Sequence, residues 1–77
     1  MTSPRETLKP MVAKVLASSG RRMTIVEVAQ ELWRKHELDF KKEGDLFYIW
    51  QYEMRWAAQL LVDEGKVEKS RKGWIWL

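Results

Sequence analysis

The stretch from Asp45 to Glu64, DLFYIWQYEMRWAAQLLVDE, limits what this chain can become more than any other. At 3.6 residues per turn, Leu46, Phe47, Ile49, Trp50, Met54, Trp56, Ala57, Ala58, Leu60 and Leu61 fill one broad arc. Tyr48, Gln51, Tyr52, Arg55 and Gln59 fill a narrower arc opposite. The spacing predicts a helix capped by Asp45 and ended by Gly65. A helix this apolar has to be covered by most of a small domain, so it is expected at the centre. Trp33, Trp50 and Trp56 lie on helical stripes and are expected in the core.

Seventy-seven residues make one domain, spanning 1–77. A chain of this size buries only about 60% of its unfolded surface, so its core must be dense. Five tryptophans supply that density. With no cysteine and a single histidine, His36, the chain has neither a disulfide framework nor a Cys/His metal site. The opening residues lack an apolar signal-peptide segment, and no apolar run is long enough for a membrane span. A cytoplasmic location without membrane partners is therefore the expectation.

The formal charge is +3. Lys66, Lys69, Arg71 and Lys72 face only Glu68 in the last dozen residues, while the rest of the chain balances. The whole positive excess therefore sits at the C-terminal end.

Upstream of the central stretch, Ser3-Pro4-Arg5-Glu6 has the form of a helix opening, but Pro10 moves the expected start to Thr7. Leu8, Met11, Val12, Val15 and Leu16 then form a stripe that stops at Gly20. After the connector Arg21-Arg22-Met23, Thr24 and Glu27 form a capping box, with Met23 and Val28 as a hydrophobic staple. Ile25, Val28, Ala29, Leu32 and Trp33 give a second helix, and Arg34-Lys35-His36 place positive charge in its last turn. Glu37 to Gly44 has no stripe and reads as a loop, with Leu38 and Phe40 tucked against the core. The tail changes period. Val67–Lys69 and Trp74–Leu77 flank the turn Ser70-Arg71-Lys72-Gly73, which reads as a hairpin.

Three helices followed by a C-terminal β-hairpin make a mostly α, α+β fold with the layout of a winged helix, the hairpin being the wing. Within it, Trp56-Ala57, Leu60-Leu61, Gly65, Val67, the basic turn Arg71-Lys72-Gly73 and the closing strand stand in a recognisable order. This segment resembles the end of the amino-terminal winged-helix domain of Mrr-type restriction proteins and related prokaryotic and phage regulators. Trp76 departs from that pattern, which usually has a polar residue there. The resemblance covers about the last third of the chain and implies a DNA-binding module, in transcription regulation or restriction-type recognition.

The candidate site follows from that layout. Arg can grip guanine, Gln can pair with adenine, and Tyr hydroxyls reach phosphates, so Tyr48, Gln51, Tyr52 and Arg55 are the expected base-side contacts. Gln59 lies further along the helix, beyond the expected reach of a groove. Lys69, Arg71 and Lys72 are expected to grip the backbone of double-stranded DNA. Arg21, Arg22, Lys41 and Lys42 are secondary backbone candidates. Trp74 and Trp76 are either core or an exposed patch for a homodimer or another protein, the alternative function. No nucleophile–base pair, phosphate loop or metal set stands in the sequence, so no enzyme activity, cofactor, metal or small-molecule substrate is expected.

Overall fold

The computed structural model describes residues 3–42 and 44–77. Helix α1 spans Pro4–Ser19, α2 Ile25–Lys42 and α3 Asp45–Asp63; strands β1 (Val67–Ser70) and β2 (Gly73–Trp76) follow. The chain thus has three helices and an antiparallel hairpin, the α+β, winged-helix-like layout expected. Met1, Thr2 and Glu43, the last counted within the expected loop, lie outside the described residues.

Helix α1 begins earlier than Thr7. Ser3 is its N-cap, accepting a hydrogen bond from the Glu6 amide at 3.3 Å, and Pro4 occupies the first helical position. A proline is harmless there, because that N–H would be unpaired anyway. The cap outweighs Pro10, which sits inside the helix and leaves the Glu6 carbonyl without its usual donor. Pro10 is exposed, so only the backbone registers its presence. Pro10→Ala is expected to stabilise the domain by about 2 kcal/mol, the helix-propensity gain less the lost rigidity of the unfolded chain. Thermal denaturation should show a rise of roughly 10 °C.

Helix α2 opens on the expected box: the Thr24 amide donates to Glu27 Oε1 at 2.9 Å, and the Glu27 amide donates to Thr24 Oγ1 at 3.1 Å. It does not give way to a loop at Glu37. The backbone breaks at His36 (φ −127°, ψ 16°) and then turns helically again to Lys42. The second piece is held by Phe40, which is fully buried and stacks on Trp50 with ring centroids 5.0 Å apart. Leu38, two residues earlier, points away and is 70% exposed. Two residues apart in a helix is nearly opposite, so both could not reach the core.

Gly44 precedes α3 as its N-cap and offers no side chain to cap it; Asp45, expected to cap, is the first helical residue. At the other end the sequence reading is met. Gly65 takes φ 76°, its N–H donates to the Val62 carbonyl, and the Lys66 N–H donates to the Leu61 carbonyl. Those two bonds form a Schellman stop. Lys9 of α1 pairs with Glu64 at this end.

The buried face of α3 is Leu46, Trp50, Glu53, Met54, Ala57, Ala58 and Leu61. This stripe is narrower than the one read from the sequence: Phe47, Ile49 and Trp56 lie on its borders, and Trp56 is 41% exposed. Against it pack Leu8, Val12 and Leu16 of α1, Val28 and Leu32 of α2, and Val67 and Trp74 of the hairpin. Trp33, Phe40, Phe47 and Trp50 form one aromatic cluster between α2 and α3.

The connector Arg21–Met23 contributes more than a link. Met23 exchanges both hydrogen bonds with Trp74, at 2.8 and 2.7 Å, and so forms a one-residue third strand beside β2. This joins the wing to the segment between α1 and α2. Ser70 pairs with Gly73, so both belong to the strands and the turn is only Arg71-Lys72.

Glu27 is held below the ordinary carboxylate range chiefly by the Thr24 N–H, and Glu64 chiefly by its bond to Lys9. A carboxylate depressed on folding stabilises above its unfolded pKa and loses that contribution as pH falls through its folded value. Stability should therefore be flat near neutrality and decline below about pH 4. Glu27→Gln/Glu64→Gln should flatten that decline in denaturant titrations across the acid range.

Candidate nucleic-acid interface

Positions 48, 51, 52, 55 and 59 of α3 are spaced three and four apart, so they align along one side of the helix. Tyr48 and Tyr52 are 82% and 60% exposed, and Gln51 and Arg55 are exposed with them. Arg55 makes no ion pair or hydrogen bond among the described residues. These four side chains therefore stand open along one side of a helix.

The wing is tied to the far end of this face. Lys69 Nζ donates to Gln59 Oε1 at 3.0 Å and lies 5.9 Å from the Trp74 ring centroid. Gln59 in turn donates to Asp63 Oδ1 at 2.9 Å. Gln59, set aside in the sequence reading as too distant, is the bridge between helix and wing.

Two hollows flank the face, and Arg55 borders both. One, of about 630 Å3, lies between α2 and α3 and is lined by Ile25, Val26, Trp33, Phe47, Gln51 and Arg55 among others. The other, of about 290 Å3, is lined by Tyr52, Arg55, Trp56, Gln59 and Lys69.

The basic candidates divide by what already neutralises them. Arg22 bonds Glu68 Oε1 at 2.6 Å, Ser70 Oγ at 2.9 Å and the Gly73 carbonyl at 3.2 Å, clasping both strands of the hairpin. Arg21 pairs with Glu27 at 3.3 Å, and Lys41 with Glu37 at 3.0 Å while lying over Trp33. Lys42 is exposed at the end of α2. Arg55, Lys69, Arg71 and Lys72, like Lys42, have no carboxylate partner among the described residues. These four lie on the α3 face and the wing. Exposed ion pairs such as those of Arg21 and Lys41 are worth little and are easily exchanged, whereas Arg22 is committed to the fold by three bonds.

Trp74 is only 2% exposed and Trp76 packs partly against the core, so neither forms an exposed aromatic patch. The exposed indole is Trp56, at 41%, although its place on the apolar stripe predicts a core position. Glu53 is charged, yet it occupies a buried position of α3. It sits three after Trp50 and four before Ala57, on the buried stripe, and meets Arg5 at 3.1 Å. That periodic position was the signal available. His36 lies 3.5 Å from Asp39, and no group of residues able to hold a metal exists among the described residues. No described helix is long and apolar enough to cross a membrane.

No family model, curated protein or solved structure matches the chain.

Proposed function

We propose that the chain is a winged-helix module that binds double-stranded DNA, with α3 in the major groove and the hairpin on the backbone. One observation carries this reading. The cations without an internal carboxylate partner on the α3–wing side, Arg55, Lys69, Arg71 and Lys72, adjoin an exposed row of Tyr and Gln side chains suited to base edges and phosphates. Tyr48, Gln51, Tyr52 and Arg55 read the groove, while Lys69, Arg71 and Lys72 neutralise phosphates. The role is binding rather than catalysis, in the cytoplasm of a bacterium or phage-infected cell. The resemblance to Mrr-type amino-terminal domains supports regulation or restriction-type recognition as the setting.

Fluorescence anisotropy with random-sequence duplex across a salt series tests the reading. With Lys69, Arg71 and Lys72 on phosphates and one to three of the secondary cations Arg21, Lys41 and Lys42 joining them, log K should fall against log salt with a slope of about −4 to −5. No binding at low salt, or a flat slope, overturns it.

The competing reading, a protein-docking domain, no longer rests on Trp74 and Trp76. It moves to the α2–α3 hollow, where Val26 is 64% and Phe47 38% exposed. Val26→Asp should abolish self-association in analytical ultracentrifugation under that reading and leave DNA affinity nearly unchanged.

A further inference from the structure

The smaller hollow at the wing end of α3 has a composition that duplex binding does not require. Trp56 is the exposed indole of the chain, and its ring is braced by neighbouring side chains. The Arg5 guanidinium lies over it at 4.8 Å from the centroid, and Arg5 is itself anchored to Glu53, only 8% exposed, at 3.1 Å. Tyr52 meets the indole edge-on, with centroids 6.4 Å apart and planes at 67°. A buried carboxylate, a cation and one aromatic ring therefore brace a side chain that is still 41% open to solvent. A tryptophan present only to cover the core would need no such support.

The rest of the hollow is polar and positive. Arg55 and Lys69 flank the aromatics without carboxylate partners among the described residues, and the Gln59 amide links Lys69 to Asp63. At about 290 Å3 the hollow is at the small end of ligand clefts, room for one planar ring system and little more. Aromatic surface bordered by cations is how proteins hold unpaired bases, since every base has a π-face and carries a phosphate on each side. Tyr52 and Arg55 belong to both the exposed α3 face and the hollow. A strand leaving the major groove would thus reach Trp56 within one helical turn, about 5.4 Å of rise.

The geometry points to this hollow as a binding site for an unpaired nucleobase at the end of a DNA duplex. The base stacks on Trp56 beside Tyr52, and its flanking phosphates meet Arg55 and Lys69. The inference rests on the duplex-binding reading and deepens it: the preferred ligand is a duplex carrying a single-stranded end, rather than uninterrupted duplex.

The test compares one short duplex in three forms: blunt, with a short overhang of either polarity, and with the same overhang made abasic. Affinities are measured by anisotropy for the wild type, Trp56→Ala and Trp56→Phe, with circular dichroism to confirm folding. The wild type should bind one overhang polarity about 10-fold more tightly than the blunt duplex, and the abasic overhang should lose that gain. Trp56→Phe should keep most of the preference and Trp56→Ala should abolish it at unchanged blunt-duplex affinity. Equal binding of blunt and overhanging duplex, or full affinity for the abasic overhang, overturns the inference and leaves duplex binding standing. Both of these arms use the wild type, so they decide the matter even if Trp56→Ala unfolds. Binding of single strands alone, lost with Trp56, would keep the hollow and remove the duplex reading. Failure to bind any of these DNAs removes both.

Discussion

Gly73→Ala is expected to cost the domain about 4 kcal/mol and to lower its melting temperature by roughly 20 °C. Gly73 takes φ 126°, a conformation that L side chains rarely adopt, and an added Cβ would overlap the Met23 carbonyl. That carbonyl accepts from the Trp74 N–H, and the Met23 N–H donates back to the Trp74 carbonyl. Moving the hairpin outward to admit a methyl group would break both bonds, worth about 1 kcal/mol each, on top of backbone strain of about 1–3 kcal/mol. A domain of this length has a total stability of only about 4–12 kcal/mol, so the substitution removes between about a third and all of it. Gly20→Ala is the control. Gly20 also has positive φ, at 63°, but nothing lies within 4 Å of its added Cβ, so the loss should stay near 1 kcal/mol. Similar melting temperatures for the two variants would show that the close approach to Met23 does not hold the wing.

Neutralising the wing should have the largest effect on binding. Lys69→Gln/Arg71→Gln/Lys72→Gln removes three cations that have no carboxylate partner among the described residues, so the fold should survive. Each lost phosphate contact reduces the salt slope by about 0.9, so the triple variant should flatten it by about 2.7. Extrapolated to equal affinity at 1 M salt, this is roughly a 500-fold loss at 0.1 M. Arg55→Ala should behave differently. A base-reading arginine contributes discrimination, so the variant should narrow the gap between preferred and random duplex by roughly 5- to 100-fold and change the slope little. A triple variant with the wild-type slope would mean that the hairpin does not touch the backbone. Arg22→Gln is informative beside it: the loss of three bonds to the hairpin should lower stability before it lowers affinity.

The two experiments bear on features that differed in how far the sequence disclosed them. Element order, the capping box Thr24–Glu27, the stop at Gly65 and the strand pairing around Arg71-Lys72 are local. They depend on residues a few positions apart, and periodicity and turn chemistry report them directly. The exposed row Tyr48, Gln51, Tyr52, Arg55 belongs to the same class, because the apolar arc of one helix implies the polar arc opposite.

What stayed hidden depends on residues far apart in the chain. The helical turn carrying Phe40 has no stripe of its own; burial against Trp33 and Trp50 selects its conformation, and only packing reveals it. The third strand is one residue long, too short for any alternation, and exists because Met23 meets Trp74 across 51 positions. Trp56, expected in the core, stands open, while the charged Glu53 is buried. A hydrophobic residue at the edge of an apolar arc is buried only if another element covers it. A carboxylate within the arc can be buried once Arg5, 48 positions away, supplies its counter-charge. The sequence alone thus determined the helices, the wing and the face that α3 leaves open. Tertiary structure alone decided which cations remain without carboxylate partners, that Gln59 joins helix to wing, and that an indole braced by a part-buried ion pair stands open at the end of the face. Helix periodicity and turns are set within a few residues; charge pairing and coverage are set by what the fold brings alongside.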